Sequence, residues 1–176
     1  MLKHITADNI SLFNDLNKLD DEYGKVTNCQ TYIPIYDTLF NLNEENSEKL
    51  ILVSDKVVSK FKKIELSEIH ESLMISHNSW MNIDVLNIAS NEIVNKEVFV
   101  KYAPLVNTTK YLCGKYKNEK DILRLPKFND LSVHEKLIDK NNCSYVDGFF
   151  CYLSSVLLNE YSIVNGLEYY GSLLGI

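Results

Sequence analysis

Four histidines (His4, His70, His77, His134) and four cysteines (Cys29, Cys113, Cys143, Cys151) hold most of the chain's capacity for metal or nucleophilic chemistry. His70 and His77 are seven residues apart, so a continuous helix would set them on one face about 10 Å apart, too far to share one ion. Glu71 and Asp84 complete only a crude ligand set around them, and His70-Glu-Ser-Leu lacks the second histidine of a helical zinc motif. No Cys-x-x-Cys pair exists. Cys143 and Cys151 with His134 match no compact four-ligand spacing, so no metal site is expected. Cys113 precedes Gly114 in a lysine-rich stretch, a setting that favours a nucleophilic thiol, with His134 or His77 as the base it would need. There is no Gly-x-Ser-x-Gly elbow.

Phosphate chemistry needs glycines at a strand-to-helix turn, where backbone N–H groups can surround the anion. The chain has 6 glycines, four of them after Gly114, and neither a Gly-x-Gly-x-x-Gly nor a Gly-x-x-x-x-Gly-Lys-Ser/Thr segment. A complete nucleotide-using enzyme is therefore not expected, and no cofactor is assigned. One lysine invites comparison. Val98-Phe-Val-Lys101 on an expected strand, followed by a long helix over 144–159 and extended segments from 161 onward, resembles the element order of the small lobe of protein kinases. That resemblance implies Lys101 as a nucleotide-contacting residue. The chain departs from the family in having no glycine-rich loop before Lys101, no mid-helix glutamate to pair with it, and no His-Arg-Asp or Asp-Phe-Gly segment. It would then be a degenerate or truncated lobe.

The elements that position these residues must come from 176 residues and 20.3 kDa, a length that suits one well-buried domain. Hydrophobic residues make up 45% and charged ones 24%, which excludes a disordered chain. Residues 8–18 carry Leu12, Phe13 and Leu16 at helical spacing, continued by Leu19, with Asp8 as cap. Thr31–Tyr36 is an extended piece entering a helical turn at Pro34, with Tyr36, Leu39 and Phe40 inward. Leu50–Val53 reads as a short strand; Val57, Val58, Phe61 and Ile64 fit a helical face. Ser67 caps a further helix with Ile69, Leu73 and Met74, the chain turns near Trp80, and Ile83, Val85 and Leu86 belong to another helix or packed segment. Glu97–Tyr102 is a strand closed by Pro104. Thr108 or Thr109 starts a short helix stopped near Gly114, and Ile122–Leu125 is extended. Ser132-Val-His-Glu135 has capping-box spacing for a helix to Lys140. Ser144 caps the long helix, whose inner stripe is expected to be Val146, Phe149, Phe150, Leu153, Val156 and Leu157. Asn165-Gly166 between apolar runs predicts a C-terminal hairpin. The fold expected is α+β: a helix-rich single domain with a small antiparallel sheet.

Charge narrows the partners. The net charge is −6, all of it in residues 1–88; residues 89–176 hold 10 basic and 10 acidic groups. Lysines cluster at Lys56, Lys60, Lys62, Lys63 and again from Lys110 to Lys127, but Arg124 is the lone arginine. Bidentate base or phosphate reading lacks its residue type, so nucleic acid is not an expected partner. No apolar run reaches the roughly 18 residues of a membrane span, and Asp8, Asp15 and Asp20 interrupt any leader-like stretch. A cytoplasmic or other reducing compartment is expected, with unpaired thiols and unglycosylated acceptors at Asn9, Asn107 and Asn142. One arginine beside 17 lysines and 19 asparagines fits an AT-rich coding sequence, such as that of a virus. The apolar ending Leu173-Leu-Gly-Ile176 is expected of the N-terminal part of a longer protein, or of a terminal strand held by a partner. Eleven tyrosines supply large amphipathic contact area. The expected function is a non-catalytic protein-interaction or structural module that self-associates or binds another protein through Tyr32, Tyr36, Tyr111, Tyr116, Tyr169 and Tyr170.

Overall fold

In the computed structural model, residues 4–5, 28–48, 50–51, 55–63, 79–87, 90–130 and 132–176 are described. The expected helices over 8–18 and from Ser67 lie outside these residues. The chain divides into two compact units, one of residues 1–6, 28–53 and 104–176, the other of residues 7–27 and 54–103. The α+β class is as expected: short helices and one long helix occur with small antiparallel sheets.

In the first unit, β1 (His4–Ile5) pairs with β2 (Leu50–Ile51). Pro34 opens a turn closed by Tyr36 N–H donating to Ile33 O (2.9 Å), and α1 (Tyr36–Leu39) follows. Tyr36 and Phe40 are buried as the spacing predicts, whereas Leu39 faces outward. Next come α2 (Thr108–Leu112), capped by Asn107, and α3 (Glu135–Ile138). The cap of α3 is His134, not Ser132, whose hydroxyl is taken by Asp130.

The long helix α4 (Cys143–Tyr161) is capped two residues earlier than expected, by Asn142. Asn142 Oδ1 accepts from Ser144 N–H, while its Nδ2 donates to Leu105 O (2.9 Å) and Lys136 O (3.0 Å). One asparagine thus caps the helix and ties both the 104–105 segment and α3 to it, which a serine hydroxyl cannot do. Its inner face also differs. Tyr145, Tyr152 and Ser155 are buried, Phe149, Leu153 and Val156 pack partly against the core, and Phe150 and Leu157 are exposed.

The expected C-terminal hairpin does not form. Ser162 takes a left-handed conformation (φ 56°) at the end of α4, and Gly166 N–H donates to Ile163 O. A Cβ on Gly166 would lie 2.5 Å from Ser154 O and 2.7 Å from Leu158 Cβ. Glycine is needed there so that the turn can lie on α4 rather than begin a second strand. The tail beyond is extended and meets Gln30 in a single bridge, with Gln30 and Leu174 exchanging two 2.8 Å hydrogen bonds.

In the second unit, alternation overrides helical spacing. Strands β3 (Asp55–Lys63), β4 (Ser79–Asn87) and β5 (Glu92–Val100) form an antiparallel sheet with β4 central. Residues 57, 58 and 61 are therefore in a strand, not on a helical face, and Trp80 lies inside β4 rather than at a turn. The β-branched residues of both segments suit a pleated ladder once partners are present. Ile83 and Val85 are buried on one face; on the other, Trp80 packs on Phe99 with ring centroids 5.4 Å apart. Asn95 Nδ2 donates to Asp84 Oδ1 (3.0 Å) across the same pair of strands.

Candidate functional site

Four of the six tyrosines singled out as contact residues are buried: Tyr32, Tyr36, Tyr116 and Tyr169. A tyrosine can be interior when its hydroxyl finds a partner there. The Tyr36 hydroxyl lies 3.0 Å from that of Tyr169, which donates to Ser172 Oγ (2.7 Å); Tyr32 donates to Asp37 Oδ2 (2.8 Å). Tyr145, which the sequence reading passed over, donates to Leu137 O (2.7 Å). Burial pushes the phenols of Tyr32, Tyr36, Tyr145 and Tyr169 up, and that of Tyr152 up to about 12. Tyr111 is exposed, and Tyr170 is half-buried with its hydroxyl donating to Glu168. The tyrosines are chiefly the mortar of the first unit's core.

Among the described residues no hydrogen bond joins Cys113 to His134. His134 Nδ1 accepts from Lys136 N–H (3.1 Å) and Nε2 faces Glu119 Oε2. One ring nitrogen thus caps α3 and the other is turned to a carboxylate. Cys113 is exposed at the end of α2 and Cys143 at the start of α4; none of the four cysteines is in a disulfide. Burial pushes the Cys29 thiol up, away from the reactive form. His70 and His77 lie outside the described residues, among which no three potential ligands gather around a common point. Lys101 is exposed just past the end of β5.

What the structure does assemble is an apolar surface at the C-terminal end of α4. Phe150, Leu157 and Tyr161 recur at spacings of seven and four, one stripe of a helix, and all three are exposed. The turn beyond extends it: Val164 is 84% exposed and Leu167 64%. These residues are held in place. Ile163 N–H donates to Leu157 O (3.1 Å), Leu167 N–H to Ser154 Oγ (2.9 Å), and Tyr169 N–H to the fully buried Ser155 Oγ (3.1 Å). Over residues 148–167 the only charge is Glu160, and no Lys, Arg or His follows Lys140. Isolated exposed apolar side chains are ordinary, whereas Leu157, Tyr161, Val164 and Leu167 follow one another on the last turns of one helix and the turn beyond it. The sequence reading missed it by assigning Phe150 and Leu157 to the core and 161–174 to a hairpin.

No protein-family profile, no curated protein and no solved structure matches this chain.

Proposed function

We propose that this chain is a non-catalytic protein-interaction module, working in a reducing compartment, whose contact surface is the apolar C-terminal end of α4. One observation carries the reading: Leu157, Tyr161, Val164 and Leu167 are exposed together on a backbone anchored to Ser154, Ser155 and Leu157. Covering such side chains removes about 25 cal/mol from the free energy per Å² of apolar surface taken from water. A partner is selected by what surrounds them. Glu160 and Glu168 lie in this part of the chain and no base follows Lys140, which disfavours nucleic acid and anionic lipid and suits a protein surface with an apolar centre and a basic rim.

Hydroxyl-radical footprinting at dilute and high protein concentration tests this reading. Tyr161, Val164 and Leu167 are expected to become protected as concentration rises, while buried Tyr152 stays unreactive throughout. Equal oxidation of the three residues at both concentrations contradicts it.

A further inference from the structure

The first unit carries a second exposed apolar cluster of opposite charge at the other end of α4. Asn142 Nδ2 to Leu105 O and Ser144 Oγ to Pro104 O (2.9 Å each) fasten residues 104–105 to the helix N-terminus. The packing of Tyr116 on His134 (ring centroids 6.1 Å), the Glu119–His134 pair and the Tyr145–Leu137 hydrogen bond hold the following segment and α3 at that same end. There Leu112 is 84% exposed and Tyr111 42%, among the exposed Lys110, Lys115 and Lys117. Residues 104–127 contain six basic and two acidic residues, net +4; residues 148–176 contain Glu160 and Glu168 and no basic residue, net −2.

Nineteen residues of α4 span about 28 Å. The two clusters, one apolar and basic, the other apolar and acidic, are thus tied to opposite ends of one rod and cannot cover each other within a chain. The helix dipole has the same sense, positive at the lysine-bearing end and negative at the end with Glu160. Two copies placed end to end bring unlike charges and apolar side chains together. Two copies placed acidic end to acidic end bring Glu160 toward Glu160.

We propose that the occupant of the acidic apolar surface is a second copy of this chain, docked through Leu112 and the lysines around it, in a head-to-tail contact. This rests on the association reading above and adds the partner's identity and face. Such a contact is heterologous, so a pair leaves the acidic face free on one copy and the basic face free on the other, and the assembly is a ring or an open chain rather than a symmetric dimer. Because part of the attraction is between exposed charges, association weakens as salt is added.

Two full-length variants provide the test, each checked by circular dichroism for an unchanged fold: Val164→Ser/Leu167→Ser and Leu112→Ser/Lys115→Ser. The head-to-tail contact requires each variant to have the single-chain mass alone, and their equimolar mixture to form a heterodimer of twice that mass and no larger. If the Leu112→Ser/Lys115→Ser variant associates like the wild type while the other does not, the second-copy face is wrong and the contact surface on α4 stands. If the Val164→Ser/Leu167→Ser variant associates like the wild type, or the wild type remains a single chain, both proposals fall. Should either double variant misfold, the exposed Glu160→Lys substitution replaces it. Weaker association, rescued by Lys115→Glu in the partner copy, supports the contact, and unchanged association overturns it.

Discussion

Removing the hydroxyls of Tyr36 and Tyr169 singly and together measures how the core fixes the segment that carries the proposed contact surface. Tyr169 donates to Ser172 Oγ (2.7 Å), so its oxygen is the acceptor for Tyr36, 3.0 Å away. Tyr36→Phe removes one neutral hydrogen bond and leaves Tyr169 bonded to Ser172, a cost of about 1 kcal/mol. Tyr169→Phe removes both bonds and strips the buried Tyr36 hydroxyl of the oxygen it donates to, a cost of about 2–3 kcal/mol. In the double variant that stranded donor is gone, so the cost stays near that of Tyr169→Phe alone, and the coupling is about 1 kcal/mol. Urea unfolding followed by circular dichroism reads these differences. With a slope of about 1–3 kcal/mol per molar, each kcal/mol moves the midpoint by roughly 0.3–1 M. Single costs that add to within about 0.5 kcal/mol in the double variant would refute a coupled pair.

Three further outcomes are expected. Gly171→Ala forces an L-residue to φ 115° and puts a methyl 2.8 Å from Leu50 Cδ1, so it lowers stability by roughly 1–3 kcal/mol, read as a depressed melting temperature; an unchanged Tm contradicts this. Ser162→Gly relieves the left-handed cap of α4 and raises stability by roughly 0.5–1 kcal/mol in the same assay, where a loss would show the Ser162 side chain to matter more than its backbone. Tyr32, Tyr36, Tyr145, Tyr152 and Tyr169 all hold their protons above the ordinary tyrosine range when folded. Above pH ~10 the unfolded chain therefore binds fewer protons, and stability that is complete below that pH falls by up to about 1.4 kcal/mol per pH unit for each of them. Tyrosinate absorbance should rise together with loss of helical dichroism in alkali. Full ionisation near pH ~10 with the helix intact would contradict the buried assignment.

The α+β class, the turn at Pro34, the helix before Gly114 and the long helix are legible because each rests on local chemistry: a fixed proline φ, a Thr or Ser near the start, a glycine stop, a run of apolar residues; the caps themselves, Asn107 and Asn142, are not. The sheet of the second unit was half legible. Val57, Val58 and Phe61 satisfy either period, and only pairing with a segment some twenty residues on decides for the strand. The face of α4 is only half legible: the spacing puts Phe150 and Leu157 in the inner stripe beside Phe149, Leu153 and Val156, and leaves Tyr145 and Tyr152 out of it. Inside the fold, Tyr145 has a carbonyl to donate to, so the tyrosine side is the one that buries, and Phe150 and Leu157 turn out to the surface. The Asn165-Gly166 turn was recognisable, but its use was not, since the close approach of Gly166 to Ser154 and Leu158 is a tertiary contact. One feature used by the proposed contact surface is plain in the sequence: beyond Lys140 there is no basic residue at all.

The most direct test of the central claim is the solution mass by light scattering over a range of concentrations, for the wild type and for Val164→Ser/Leu167→Ser side by side. The account predicts a wild-type mass that climbs above 20.3 kDa with concentration and a variant that stays at the single-chain value with its fold unchanged. A wild type that holds at 20.3 kDa throughout, or a variant that associates equally well, would contradict it.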